Sequence, residues 1–359
     1  MTTTTTDIGS RSRWFPGGGN CFGVLAALAL CAMVGHDGLA QQAASRRQEQ
    51  TATVAATKHF EFHSDPWINL HHFLYQWARE DAGLGTGRRH VPVPERSSIA
   101  GLSTEERGIW LRAVEFYRDS VAAHSHWDPE MLQLKRKLLN LTGDPLARPP
   151  DEIKGIGAAL SMAMPVYRDR WWPQHDKANR KWIAAVAPRL RSHEQRYVQM
   201  TIRVYGAAWP DARWRVDVSA YANPRAGYTT TDGHIVIYST DPGNQDLYGL
   251  ETLFHEIQHA RAVGGSISDD LARAFKVAGT RLSENLWHAL IFATAGEFTQ
   301  SVARSEGLPA HTPYWIKEGF ESLEEWSALV PVVRQHWLPV IHGEASKEQG
   351  FAALARAFR

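Results

Sequence analysis

The spacing of apolar residues divides the chain into a helical amino-terminal part and a later part that also contains strands. From Asp65 onward, apolar side chains recur at intervals of three and four residues, as in helices that bury one face. A proline follows Asp65, and Ser103 begins a capping-box sequence, so both positions are predicted helix starts. We predict a helical region over residues 59–208. Within it, the His-His pair at 71–72 and the Trp-Trp pair at 171–172 are predicted packing residues rather than ligands or a sugar-binding platform.

The pattern changes after residue 210. Residues 214–218 and 235–238 have the composition and alternation of short strands, separated by glycine and threonine turns. From Leu271 the chain returns to helical spacing up to its end. These elements predict a mainly α fold with a small antiparallel β-sheet, an α+β class, in which residues 209–359 form the metal-binding catalytic region.

The segment 1–40 has the organisation of a signal peptide. Two arginines precede an apolar run over residues 21–35, and small residues follow, which predicts cleavage after Ala40. A membrane anchor is the alternative, but the run is shorter than the roughly 20 residues that a span needs. Residues 41–58 are poor in large apolar side chains, which predicts a disordered linker. We expect a secreted or periplasmic protein without stable membrane insertion after cleavage.

Composition narrows the partners and the types of ligand. The 39 Lys and Arg residues nearly balance 38 Asp and Glu residues and are scattered along the chain, which argues against a nucleic-acid partner. Both cysteines, Cys21 and Cys31, lie in the predicted leader. A metal in the mature chain must therefore be held by His, Asp or Glu side chains.

Residues 255–259 have the sequence HEIQH, which matches the HExxH signature of zinc hydrolases. On a helix, positions i and i+4 share one face, so the imidazoles of His255 and His259 can bind one metal. Glu256 lies beside that metal, where it can take a proton from water as a general base and return it as an acid. Glycines at 264–265 are the predicted end of this helix.

A catalytic zinc ion needs a third protein ligand and keeps one position for water. Three residues compete for this role: Glu297, His288 and Glu318. Glu297 lies in an apolar helical segment, where a carboxylate is costly to bury unless it is paired or bound to a metal. His288 precedes it by nine residues, about 180° around a straight helix, so the two cannot bind the same metal. We favour Glu297 as the third ligand and place His288 in the cleft, as an oxyanion donor or as a partner of a ligand.

This part of the sequence resembles the gluzincin branch of the zincin metallopeptidases. The resemblance covers the HEIQH helix, the strand at 235–238 before it and a downstream helix that carries a Glu. It implies a zinc cofactor, a Glu as third ligand and an antiparallel edge strand that holds the substrate. Residues 315–320 also resemble the W-x-x-E-G-x segment that carries this Glu in aminopeptidase-like members, which keeps Glu318 open.

Together these features predict an exported zinc-dependent metallohydrolase, a peptidase acting on a peptide or protein. The alternatives are a non-catalytic exported binding protein with a structural or vestigial metal site, and a hydrolase acting on another substrate class. An intact Glu256 argues against the binding protein, because a structural site needs no base. Tyr228 and His234 are candidates for substrate contact or oxyanion stabilisation. Glu251 is a candidate to orient His255, or else an exposed charge.

Overall fold

The computed structural model describes residues 53–84, 92–141, 144, 146–222, 226–230, 233–264 and 266–359. The predicted signal peptide and the first part of the predicted linker lie outside the described residues. The second part of the linker is ordered, because Thr53–Ala56 form a strand. The next residues are held by the buried Glu194 carboxylate, which accepts hydrogen bonds from the Thr57 hydroxyl at 2.7 Å and the Lys58 N–H at 2.9 Å. The prediction of disorder up to residue 58 is therefore wrong for these positions.

Helices make up most of the described chain, and two of them begin at the predicted signals. The Asp65 carboxylate accepts from the Trp67 N–H at 2.8 Å, and Ser103 and Glu106 form a complete capping box. No helix of the described residues is long and apolar enough to cross a membrane. The helices are α1 (Pro66–Asp81), α2 (Thr104–Ser120), α3 (Pro129–Leu139), α4 (Ile156–Arg170), α5 (Trp172–Tyr205), α6 (Asp246–His259), α7 (Ile267–Ala278), α8 (Leu286–Ser305), α9 (Tyr314–Lys317), α10 (Glu324–Ser327), α11 (Leu329–His336), α12 (Leu338–His342) and α13 (Lys347–Ala357), with 3-10 turns at Pro94–Gly101, Pro242–Asn244 and Phe320–Ser322.

The described strands form one mixed sheet: β1 (Thr53–Ala56), β2 (Phe60–His63), β3 (Trp214–Ser219), β4 (Gly227–Thr229) and β5 (Ile235–Tyr238). Their spatial order is β1-β2-β3-β5-β4. The outer pairs are antiparallel, whereas β2–β3 and β3–β5 are parallel. The α+β class is confirmed, but the expectation of an antiparallel sheet is wrong at its centre. Helices α1–α5 lie between β2 and β3 in the chain, and such a long crossover lets two strands run in the same direction.

The two faces of the sheet pack on two separate hydrophobic cores. Side chains alternate between faces along a strand, so Ile235 and Ile237 of β5 enter one core and Val236 and Tyr238 enter the other. Helices α5, α6 and α8 cover the first face together with the carboxyl-terminal helices, and α1–α4 cover the second. The sheet is therefore buried between two helical layers that come from different parts of the chain.

The histidine and tryptophan pairs of the amino-terminal helices are packing residues, as predicted. His71 is fully buried and its Nδ1 lies 3.1 Å from the Tyr117 hydroxyl. His72 is buried beside it, with Nε2 3.0 Å from the Tyr228 hydroxyl. Trp171 packs with its ring centroid 4.4 Å from that of Trp110. These contacts lie on the face of the sheet opposite α6.

Candidate metal centre

The HEIQH residues form the last turn and a half of α6. The apolar side of this helix packs into the core against the sheet. The Tyr197 hydroxyl donates to the Phe254 carbonyl at 2.6 Å and fixes the helix against α5. The helix ends at His259, earlier than the predicted end at 264–265. Its polar side presents His255 and His259 to a cleft.

Three imidazoles meet in this cleft. The Nε2 atom of His255 lies 3.1 Å from that of His259 and 3.1 Å from that of His288, which comes from the first turn of α8. One ligand atom from each of the three lies within 4.8 Å of the other two. A tetrahedral zinc ion with bonds of about 2.0–2.1 Å holds its nitrogen ligands about 3.3–3.4 Å apart. The spacing of the histidines therefore fits zinc, and no other such group of His, Cys, Asp or Glu side chains occurs among the described residues.

The structure does not bring Glu297 to the histidines, which corrects its assignment as third ligand. Glu297 follows His288 on α8 but lies half a turn away around the helix. Its carboxylate is 3.1 Å from His342 Nε2 and 3.4 Å from the Arg304 guanidinium. The Glu297 carboxylate is only partly buried. Two basic side chains, rather than a metal, offset the cost of that burial.

Glu318 is also absent from the histidine cluster. It follows the short helix α9, where its N–H donates to the Tyr314 carbonyl at 2.9 Å. Residues 315–320 therefore resemble the W-x-x-E-G-x segment in sequence, but Glu318 does not join the three imidazoles. The geometry corresponds to a three-histidine site rather than to two histidines and a Glu.

Glu256 lies beside the imidazoles and is held by one threonine. Thr229 of β4 directs its hydroxyl at the Glu256 carboxylate, 2.9 Å from Oε2, and at the Glu256 carbonyl oxygen at 2.7 Å. Burial raises the pKa of Glu256 to about 7, and the hydrogen bond from Thr229 opposes that shift. A carboxyl group with a pKa near neutrality can both accept and release a proton at physiological pH.

Aromatic rings surround the three histidines. The His255 ring lies 4.0 Å from the Phe292 ring, and the His288 ring stacks on Trp287 at 5.1 Å, between centroids. Burial lowers the pKa of His259 to about 4. An imidazole must be neutral to bind a metal, so this environment favours the form that can coordinate.

Strand β4 forms one wall of the cleft. It is the last strand of the described sheet. The resemblance matches residues 235–238 to the family's edge strand, but these residues form β5, which lies inside the sheet.

Gly227 is closely packed: a Cβ there would lie 2.9 Å from the Val236 carbonyl oxygen and 3.4 Å from Glu256 Cγ. The cleft is lined by Trp127, Ala226, Gly227, Tyr228, Thr229, Glu251, Thr252, His255, Glu256, His259, His288, Phe292 and Tyr314.

Tyr228 and His234 do not direct their polar groups at the histidine cluster. Both side chains project from the sheet face opposite Glu256, because neighbouring residues on a strand alternate in direction. The Tyr228 hydroxyl pairs with His72, and His234 Nε2 lies 2.8 Å from the Asp217 carboxylate. The prediction that these polar groups stabilise an oxyanion is therefore wrong. Tyr228 does line the cleft, and its contact with substrate stays a prediction.

Glu251 lines the cleft but is tied to a residue that the sequence did not single out. Its carboxylate lies 2.5 Å from His311 Nε2 and accepts from the Tyr314 N–H at 2.9 Å. Burial raises the pKa of Glu251 to about 7, although His311 acts in the opposite direction. Glu251 is thus neither an exposed charge nor bonded to His255 in the contacts described. It fastens the segment after α8 to the motif helix.

Two further cleft residues, Thr229 and Trp127, were also missed from the sequence. Thr229 belongs to a strand of three residues that gives little periodic signal, and Trp127 lies in a loop.

Comparisons with models of protein families, with curated proteins and with solved structures found no match to this chain. The functional argument therefore depends on the geometry of the site itself.

Proposed function

We propose that this protein is an exported zinc-dependent peptidase of the zincin type. One observation carries the proposal. The imidazoles of His255, His259 and His288 converge beside Glu256, in a cleft whose wall is the outermost strand of the described sheet. Zinc-dependent peptide hydrolysis needs metal ligands, a proton carrier and a surface that binds an extended chain, and these residues can supply all three.

The three histidines would hold zinc through neutral imidazole nitrogens. The mature chain expected after leader cleavage has no cysteine, so an all-nitrogen donor set is consistent with its composition. Three protein ligands would leave one coordination position of zinc for water or substrate. When bound, zinc supplies a Lewis acid that polarises a carbonyl group and lowers the pKa of water.

Glu256 is the proton carrier in this proposal. Its carboxylate accepts a proton from the attacking water and delivers it to the nitrogen of the departing amine, so that water is added across the C–N bond. The Thr229 hydroxyl orients the carboxylate towards the cleft. The aromatic wall around the histidines limits water and strengthens the electrostatic interactions within the site.

Strand β4 offers backbone groups to a peptide. The Tyr238 N–H donates to the Ala226 carbonyl, and the Thr230 N–H donates to the His234 carbonyl, both at 2.9 Å. In an antiparallel ladder such hydrogen-bonded pairs alternate with pairs whose N–H and C=O groups point outward. Gly227 and Thr229 occupy the outward positions. An extended peptide can add along this edge as a further strand, except at the Thr229 carbonyl, which accepts from the Trp127 indole.

Export is the second part of the proposal and rests on the leader sequence. The arginines, the apolar run over 21–35 and the small residues before Ala40 have the order of a signal peptide. Intact-mass measurement on exported material should give a chain that lacks residues up to about Ala40. A mass that includes the leader would indicate an anchored protein.

Replacement of Glu256 tests the peptidase itself. Glu256→Gln should bind about one zinc per chain, like the wild type, but should lose peptide hydrolysis, because Gln cannot carry the proton. Glu321→Gln, at an exposed position outside the cleft, is the matched control and should behave as wild type. Metal analysis and turnover of a peptide library decide the outcome. Zinc-loaded wild-type protein without turnover would support the non-catalytic binding protein instead.

A further inference from the structure

Trp127 lies across the outer edge of β4. It belongs to the loop between α2 and α3, lines the cleft and is half exposed, at 50%. Its indole Nε1–H donates to the Thr229 carbonyl oxygen at 3.1 Å. The loop is held in turn by local bonds: the Ser125 hydroxyl oxygen accepts from the Trp127 N–H at 3.3 Å, and Asp128 accepts from the Ser125 N–H at 3.0 Å.

This hydrogen bond occupies a group that a bound peptide would use. Gly227 and Thr229 present their backbone groups outward, whereas the groups between them pair with β5. The indole ring covers the Thr229 acceptor, and the Gly227 groups carry no such cover among the described contacts. A peptide added to β4 can therefore pair fully with Gly227 but meets Trp127 at Thr229.

The direction of the peptide follows from the ladder. Antiparallel pairing is the more stable arrangement per residue, so we take the substrate to run antiparallel to β4. In that orientation, residues beyond Thr229 belong to the amino-terminal side of the peptide. The carboxyl-terminal side extends past Gly227, away from Trp127.

The position of Glu256 then limits the length of the amino-terminal side. Its carboxylate is bonded to Thr229, and its Cγ lies 3.4 Å from the position of a Cβ on Gly227, so the reacting bond faces this short span. At a rise of about 3.3 Å per residue, only about one or two substrate residues fit between that bond and the indole.

We infer that Trp127 closes the amino-terminal side of the substrate groove, so that the site cleaves near the amino terminus of an extended peptide. This inference rests on the proposed peptidase function. Trp127 is a specificity-determining residue in this view and takes no part in proton transfer.

The test starts from a peptide that the wild-type protein cleaves. One series of substrates lengthens it at the amino end and a second series lengthens it at the carboxyl end, with the cleaved bond unchanged. For the wild type, kcat/KM should fall at least tenfold once the amino-terminal side exceeds about two residues, since longer chains must displace the indole. Carboxyl-terminal extension should change kcat/KM by less than threefold.

Two variants separate the ring from its hydrogen bond. Trp127→Ala should accept long amino-terminal extensions with the kcat/KM of the short peptide. Trp127→Phe keeps an aromatic ring without the N–H donor, and it should lose part of the discrimination. Leu111→Ala, at an exposed position on α2 outside the cleft, is the control and should keep the wild-type pattern.

A binding measurement provides a readout independent of turnover. In the Glu256→Gln background, calorimetric titration with the same two peptide series should show weaker binding of long amino-terminal extensions, and Trp127→Ala should remove that difference. If the wild type cleaves both series equally, or if Trp127→Ala keeps the wild-type preference, the inference about Trp127 is wrong. The proposed peptidase function still stands in that case as long as cleavage depends on Glu256. Zinc-loaded protein that cleaves no peptide would overturn the proposed function, and this inference with it.

Discussion

His288 brings its Nε2 atom within 3.1 Å of the His255 Nε2 atom, although 33 positions separate the two in the chain. The contact joins the first turn of α8 to the last turns of α6. It converts a two-histidine motif into a three-nitrogen cluster of the size that zinc requires. Which residue can serve as the third ligand therefore depends on how these two helices pack.

Separate alanine substitutions of His288 and Glu297 test which of the two is the third zinc ligand. His288→Ala should lower zinc affinity by more than about 100-fold, because loss of even an outer partner of a ligand costs about 10–100-fold. Glu297→Ala should keep wild-type affinity, since its carboxylate pairs with His342 and Arg304. Competition titration against a chromophoric chelator measures both values. Weak zinc binding in Glu297→Ala with normal binding in His288→Ala would restore the two-histidine and Glu site.

Gly227→Ala tests the close approach of β4 to Glu256, the proposed proton carrier. The added methyl would meet the Val236 carbonyl oxygen at 2.9 Å and Glu256 Cγ at 3.4 Å. We expect a loss of about 1–3 kcal/mol in the free energy of unfolding. The clash with the Val236 carbonyl oxygen should shift β4, which carries the Thr229 hydroxyl bonded to Glu256. A resulting displacement of Glu256 of about 1 Å should lower kcat by about 100-fold. Gly101→Ala, whose methyl meets nothing within 4 Å, is the control for denaturation and kinetics; equal behaviour of the two variants would contradict the close packing.

Asp217→Asn tests the buried charge cluster on the sheet face opposite Glu256. Burial would raise the pKa of Asp217, but the Arg215 guanidinium at 2.7 Å and His234 outweigh it and hold the pKa below its usual range. Removing one partner of such a pair should cost about 3–5 kcal/mol of unfolding free energy at pH 7. Urea denaturation measures it, with the exposed Asp119→Asn as control, expected within about 0.5 kcal/mol of wild type.

The same cluster predicts a pH dependence with a defined sign. In the unfolded chain the Asp217 carboxyl titrates near 3.8, whereas its folded pKa is lower. Its contribution to stability is therefore fully present above that pH and declines as the pH falls below it. The difference between wild type and Asp217→Asn should shrink as denaturation is repeated at progressively lower pH below 3.8. A constant difference across this range would show that Asp217 stabilises by packing rather than by charge.

Glu251→Ala tests whether this carboxylate fastens the segment after α8. The variant removes the bonds to His311 and to the Tyr314 N–H. Loss of one hydrogen bond to a charged group costs about 1.5–3 kcal/mol, so amide exchange at residues 311–314 should accelerate at least about tenfold. Hydrogen exchange read by mass spectrometry measures this, with the exposed Glu321→Ala as control. Unchanged exchange in this segment would mean that other contacts hold it.

The sequence alone determined the parts of this site that lie within one element. The spacing of His255 and His259 and the position of Glu256 follow from helical geometry, which is local. The same geometry correctly excludes a site that contains both His288 and Glu297. Capping residues such as Ser103 likewise predicted where helices begin, because the partner of each cap lies within three residues.

Which side of α8 faces α6 depends on the tertiary structure. Periodicity gives the angle between His288 and Glu297, but the rotation of a whole helix depends on the residues that pack around it. The burial argument for Glu297 failed for the same reason, since His342 lies 45 positions away and no local pattern shows that it comes close. Trp127 and Thr229 are 102 positions apart, and their contact exists only because β4 is the last strand of the described sheet. Sheet order and helix rotation are fixed by packing between distant segments, and it is these two features that shape the cleft.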